Sequence, residues 1–434
     1  MDDFGYNDAI LYCEEIPIPV LARQYGTPLY VYSTSTLLGH WKRFRDAFAP
    51  LSATICFSVK CCQNLAILQL LRDNGASFDV VSGGELSRVL EAGGNPKSVV
   101  FAGVGKTDDE IRQALRTGIG WFNVESEAEL ENISAIAASM NVTARAALRV
   151  NPDVDPHTHL YTTTGKRETK FGVDLDCARR VFREFHGRTG LNLCGLHLHI
   201  GSPVNSVEPY VRAIFAALSL IEELRRDGHS IQAMNIGGGF GAHYLGSEAP
   251  PAGAYAAALI PMLERSGLQV YLEPGRCIAA NAGVLIARTI YTKSSGDRRF
   301  IIVDASITEL IRPALYGAYH FAWPVAPAGG LTPPSRVADL RLEGTFTVDI
   351  VGPVCESGDF LAKDRRLPPI ERGDLICLFS AGAYGMVMSS QYNSRPRAAE
   401  VLVDGSSARL IRRRETYDDL VAAERNLETE SPTR

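Results

Sequence analysis

The sequence predicts an α/β protein: a (β/α)8 barrel of the TIM type over residues 34–285, followed by a mainly β domain over 286–434. Residues 1–33 are expected to contribute to the second domain. Three observations predict this. Eight short, β-rich apolar runs alternate with amphipathic stretches of helical spacing between about residues 34 and 285. Several of those helical stretches close on Gly, a common helix stop. Beyond residue 285 the alternation gives way to strand-type runs separated by turn residues. An open doubly wound sheet is the rival, because strand count alone does not close a barrel.

Taken in order, the eight barrel runs are "ATICFSV", "SFDVV", "SVVFA", "WFNV", "ARAALRV", "LCGLHLHI", "QAMNI" and "QVYLE". "NLAILQLLRDNG" and "VEPYVRAIFAALSLIEELRRDG" are typical of the helical stretches between them. The second domain follows from "GVLIARTIYTK", "RRFIIVDAS", "ADLRLEGTFTVDIVGPV", "DLICLFSAG" and "AEVLVDGSSARLIRR". "PLYVYS" near the start either pairs with these or leads into the barrel. The charged tail from about Glu415 is expected to fray at its end.

The bulk numbers narrow the function. A chain of 434 residues is long enough for two sizeable cores. A net charge of −5, with no basic run longer than "RRR", argues against nucleic acid or an anionic membrane as partner. The start "MDDFGYNDAI" lacks the basic-then-apolar layout of a signal peptide, and no apolar run approaches the roughly 18 residues of a membrane span. Nine cysteines without a CxxC pair then read as reduced thiols in a cytoplasmic protein.

Chemistry in a barrel of this kind sits at the C-terminal ends of the strands. Those ends carry Lys60, Asp79, Arg149, "HLHIGS" (His197, His199, Ser202), "GGGFG" (Gly237 to Gly241) and "EPGR" (Glu273 to Arg276). Each has an ordinary alternative: a solvated lysine, a simple glycine turn, a local ion pair between Glu273 and Arg276. Three consecutive glycines suit a nest of backbone N–H groups around a phosphate, although they do not form GxGxxG. The two imidazoles of "HLH" would share a strand face and could bind metal, but the neighbouring strand ends offer no matching His and Asp set, so no metal is expected. An amine, a carboxylate, an imidazole and a phosphate nest around one mouth suit pyridoxal 5'-phosphate. Its aldehyde needs a lysine, its phosphate needs backbone donors, and its ring nitrogen needs an acid.

"FSVK", "HIGS", "GGGFG", "EPGR", "CESGD" and "GAYG" with "YNSRPRAAEVLV" resemble the barrel-type pyridoxal-phosphate decarboxylases of basic amino acids, which have the alanine-racemase-like fold. "RPALYGAYH" and "GPVCESGD" resemble the members of that family acting on diaminopimelate. The resemblance covers nearly the whole chain. It implies that Lys60 bonds the cofactor aldehyde, His199 lies on its ring and Glu273 faces its pyridine nitrogen. Asp79 is among the cofactor-binding positions. Ser202, the backbone of Gly237, Gly238 and Gly239, and the Gly275–Arg276 turn match the phosphate-binding elements, with Tyr384 near phosphate and substrate. Cys355 matches a proton donor and Glu356 a holder of the distal ammonium, both supplied across a homodimer. Arg276, Arg312 and Tyr316 match residues holding the distal carboxylate.

The implied reaction is decarboxylation of meso-2,6-diaminopimelate to L-lysine and CO2, the last step of lysine biosynthesis. Decarboxylation of ornithine, arginine or carboxynorspermidine is the alternative within the same chemistry. A zinc barrel hydrolase and a non-catalytic cofactor-binding homologue are the alternatives outside it. Two positions depart from the family pattern. Cys61 and Cys62 follow the lysine where Ala-Asn is usual, and Pro203 follows "HIGS" where Gln is common.

Overall fold

A computed structural model describes residues 2–155, 170–246 and 249–425. The chain forms two compact units, one of residues 36–281 and one of residues 1–35 with 282–434.

The first unit is a closed barrel of eight parallel strands. They are β1 (Thr54–Ser58), β2 (Ser77–Val80), β3 (Val100–Phe101), β4 (Trp121–Val124), β5 (Ala144–Asn151), β6 (Leu191–His197), β7 (Ala233–Asn235) and β8 (Gln269–Leu272). Each pairs with its sequence neighbour, and β8 returns to β1 through Tyr271↔Thr54 and Leu272↔Ile55. That closing pair excludes the open doubly wound sheet. Strands covered on both faces cannot alternate apolar and polar residues, so they read as continuous apolar runs. Cys56, Val100, Trp121, Cys194 and Ala233 form one buried cluster, with Tyr271 packed edge-on to Trp121 at 4.9 Å.

Helix caps set where each strand hands over to its helix. Asn64, Ser82, Thr107 and Ser126 each accept a backbone N–H in the first turn of the helices Leu65–Asp73, Gly83–Glu91, Asp108–Thr117 and Glu127–Ser139. Thr107 and Glu110 complete a capping box. A cap of this kind contributes about 1 kcal/mol. After β1, β2, β3 and β4 these capped connections hold the following residues at the C-terminal rim.

In the second unit the 13-residue strand Gly283–Ser295 is central. It pairs antiparallel with Leu29–Ser33, with Arg298–Val303 and with Leu375–Leu378. "PLYVYS" therefore joins this sheet, where Leu29–Ser33 also runs parallel to Ala399–Asp404. Arg298–Val303 lies parallel to Phe346–Val351, whose other neighbour is Phe360–Leu367.

Some details differ from the sequence expectation. The first half of "ADLRLEGTFTVDIVGPV" forms no strand, and Phe360–Leu367 ("FLAKDRRL") is a strand that its charged residues concealed. Beyond Glu415 a short helix, Tyr417–Val421, starts with a capping box between Thr416 and Asp419. The expected frayed end lies outside the described residues. No helix among the described residues is long and apolar enough to cross a membrane.

Candidate active site

Strand β1 stops at Ser58, and Lys60 stands on the single 3-10 turn Val59–Cys61 that follows, rather than on the strand itself. Its Nζ donates to Asp79 Oδ2 at 2.5 Å, and Ser58 Oγ donates to the same oxygen at 2.7 Å. Asp79 is fully buried on β2, and among the described residues its Oδ1 has no hydrogen-bond partner. Burial and the charge of Glu273 push the Asp79 carboxyl up, against the opposing pull of Lys60 and Ser58.

Glu273, immediately after β8, is 2% exposed. Its Oε1 accepts Nδ2 of Asn123 at 2.9 Å and Nδ2 of Asn235 at 2.6 Å, while Oε2 lies 3.5 Å from His197 Nε2. Burial opposes its ionisation, yet His197 and Lys60 hold the carboxyl well below the usual range. Asn123 and Asn235 were not singled out in the sequence. Their signal was an Asn inside "WFNV" and another inside "QAMNI", strand positions where a polar amide is costly unless bonded.

His197 closes β6, and His199 follows two residues beyond the strand. His199 Nδ1 accepts the N–H of Gly238 at 3.2 Å. Burial, Arg149 and Lys60 push the imidazole well below its ordinary value. Both observations describe a neutral ring with its proton on Nε2. Arg149 fixes the backbone here: it is paired with Glu125 at 2.9 Å and donates to His199 O at 3.1 Å. Among the described residues no group of three or more His, Cys, Asp or Glu could hold a metal ion.

The glycine turn has no room for side chains. A Cβ on Gly237, Gly238 or Gly239 would come within 2.1–2.2 Å of the carbonyl oxygens of Leu198, Glu273 and Gly201. Gly237 and Gly239 also have φ of +72° and +96°. The Gly237 N–H is taken by Asn235 Oδ1 at 2.9 Å and the Gly238 N–H by His199. Two of the three expected phosphate donors are thus used within the turn, which leaves the Gly239 N–H. Beside it Arg276 Nε donates to Ser202 Oγ at 3.1 Å, and its NH1 donates to the Tyr244 hydroxyl at 3.1 Å. Because Ser202 accepts from Arg276, its own O–H is directed elsewhere. The Ser202–Pro203 bond is cis. A Cβ on Gly275 would stand 3.1 Å from Cys61 Sγ, so the unusual thiol packs against this turn. Burial pushes the Cys61 thiol well up, and Cys62 is buried too.

The barrel candidates thus converge on one end of the strands. The remaining candidates belong to the other unit. Arg312 and Tyr316 bound a short helix, Arg312–Tyr316, and Arg312 NH1 lies 2.8 Å from Nε2 of fully buried His320. His320 Nδ1 is 2.9 Å from Phe379 O, so Nδ1 carries the proton and Nε2 accepts from the arginine. Tyr384 has a φ of +57°, uncommon for a bulky residue. Cys355 and Glu356 lie exposed between strands Phe346–Val351 and Phe360–Leu367, with Glu356 accepting the Tyr392 hydroxyl.

Residues 34–280 match the family described as "Pyridoxal-dependent decarboxylase, pyridoxal binding domain". The diaminopimelate decarboxylase of Pseudomonas aeruginosa is 46% identical over 98% of this chain and 99% of its own. That of Vibrio cholerae is 45% identical over the same shares. The chain belongs to the diaminopimelate decarboxylase family. A crystal structure of the Helicobacter pylori family member, complexed with L-lysine, superposes with a TM-score of 0.88 at 37% identity, over 94% of this chain and 99% of that one.

Pyridoxal phosphate is the cofactor of this family, and the residues fit it. The orphaned Asp79 Oδ1, the side-chain-free glycine cradle and the ionised Glu273 form a polar mouth with acceptors and donors left for a ligand. Lys60 would hold the aldehyde. Gly239 with Ser202 would hold the phosphate, and Glu273 with His199 the ring.

Proposed function

We propose that this chain decarboxylates meso-2,6-diaminopimelate to L-lysine and CO2, the final step of lysine biosynthesis. One observation carries the reaction class: a buried carboxylate, Glu273, kept ionised by two amides and an imidazole at the rim that also bears Lys60. The family relatives named above supply the substrate.

The cofactor, when bound, supplies a ring that withdraws electrons from the α-carbon as CO2 leaves. The chain's own residues do the rest. Asp79 and Ser58 orient the Lys60 amine and give its proton a partner. Glu273 presents Oε2 as a fixed negative charge, because Oε1 is occupied by both amides. His199, neutral and tethered at Nδ1, offers a flat face that adds no positive charge. Cys355 gives its thiol proton to the α-carbon after CO2 departs. Glu356 holds the substrate's distal ammonium. Arg312, with Arg276 and Tyr316, reads its distal carboxylate, for which a planar, always-charged fork is suited.

This division of labour explains the choice of substrate. Ornithine or arginine brings no distal carboxylate to Arg312, so the buried guanidinium would lose an expected partner. CO2 release measured on meso-diaminopimelate, ornithine, arginine and carboxynorspermidine tests the reading. Diaminopimelate should be turned over at least about 100-fold more efficiently, as for a site built around a missing polar group. Comparable turnover of ornithine would overturn the assignment. We also place Cys355 and Glu356 in the active site of a second copy, in a cytoplasmic homodimer.

A further inference from the structure

We propose that Asp359 is the positioning residue of the proton-donating loop, its carboxylate tying Cys355 and Glu356 to the backbone segment that leads to Arg312. This rests on the reading of Cys355 given above. The loop between strands Phe346–Val351 and Phe360–Leu367 is exposed from Cys355 to Gly358, whereas its two feet, Val354 and Asp359, are only 6% and 4% exposed. Asp359 Oδ2 accepts the N–H of Val354, the residue before Cys355, at 2.7 Å. Its Oδ1 accepts the N–H of Ile307 at 2.8 Å. Ile307 lies in the stretch after strand Arg298–Val303, which is itself held by Glu309: Oε2 accepts the Ser306 N–H at 2.8 Å and the Thr308 hydroxyl at 2.9 Å. Three residues after Glu309 comes Arg312.

The fit is close. A Cβ on Gly352 would lie 2.4 Å from Asp359 Oδ2 and 2.6 Å from Ser306 Cβ, so loop and segment meet with no side chain between them. The two groups bonded to the carboxylate are N–H donors, and only an acceptor-only side chain satisfies both. In the homodimer proposed above, this one buried charge fixes the proton-donating loop that enters the second copy's site to the segment that carries Arg312 in its own chain. A misplacement of about 1 Å in such a donor costs up to about 100-fold in rate.

Asp359→Asn turns one of the two acceptors into a donor and tests the clamp on the holoenzyme. We expect kcat to fall about 10- to 100-fold, with cofactor affinity unchanged in a spectroscopic titration. Cys355 alkylation by iodoacetamide, followed by peptide mass spectrometry, should change at least about threefold in rate. A purely structural role would lower thermal stability and leave both kcat and Cys355 reactivity alone; that result overturns the proposal. If the variant does not fold, amide exchange on the unmodified holoenzyme decides instead. The N–H groups of Ile307 and Val354 should be protected together, and rapid exchange at both defeats the clamp. Full turnover by Cys355→Ala would sink the proton-donor reading, while alkylation and exchange would still report on Asp359.

Discussion

Glu273, Asp79 and Glu85 are carboxylates buried around the same lysine, and their surroundings push them in opposite directions. Glu273 is held ionised by its neighbours despite burial, whereas burial carries Glu85 up to about 7. The difference lies in the number of compensating groups: Glu273 has two amides and an imidazole, and Glu85 Oε2 has the Val81 N–H at 2.9 Å. The sign of the consequence follows from linkage. Glu85 has a higher pKa folded than the ordinary value of 4.5, so the folded state binds more protons between 4.5 and about 7. Stability therefore falls as pH rises through that window, by a few kcal/mol at most. Glu85→Gln keeps an acceptor for Val81 and removes the titration. It should match the parent protein at pH 5 and exceed it in thermal stability at pH 8. Equal stability of the two proteins at pH 8 in thermal melts would refute this account of Glu85.

At the scale of elements, the glycine turn after β7 is where backbone and chemistry are least separable. Asn235, 1% exposed, bonds Glu273 with its amide nitrogen and the Gly237 N–H with its oxygen, so one side chain links the buried acid to the glycine turn. Gly239→Ala would drive a methyl to 2.1 Å from the Gly201 carbonyl and put a side chain on a residue at φ +96°. Cofactor titration should show affinity reduced more than about tenfold, since the turn must shift before it can hold an anion; undiminished affinity would remove Gly239 from the phosphate site. The barrel strands were readable because parallel strands buried on both faces leave short unbroken apolar runs, as in "ATICFSV" and "QVYLE". Lys60 and Glu273 were readable because charge at the end of such a run is conspicuous. Phe360–Leu367 was not, since Lys363, Asp364, Arg365 and Arg366 mask its apolar positions. Asn123, Asn235 and Ser58 were not readable either. Their roles depend on partners 150, 38 and 21 residues away, brought together only by barrel closure and register.

At the scale of the whole molecule, the exposed stretch Cys355–Gly358 poses a question that a single chain does not answer. An apolar-poor loop carrying an exposed thiol and a carboxylate would be an unprotected proton donor if water bathed it freely. In the proposed homodimer a second copy would supply the missing enclosure, and a two-fold axis would give each site one Lys60 and one Cys355 from different chains. Chains carrying Lys60→Ala and chains carrying Cys355→Ala should each be nearly inactive alone. Mixed in equal amounts and allowed to exchange, half of the dimers combine both kinds. Each of those has one site in which Lys60 and Cys355 are both intact. Activity should therefore recover to about one quarter of the unaltered dimer, the value set by random pairing in a two-fold assembly. Native mass spectrometry on the same mixture, with one kind of chain carrying a mass tag, confirms that exchange has taken place. If heterodimers form and the mixture stays as inactive as its parts, each site is built within one chain, and the exposed loop must be enclosed in some other way.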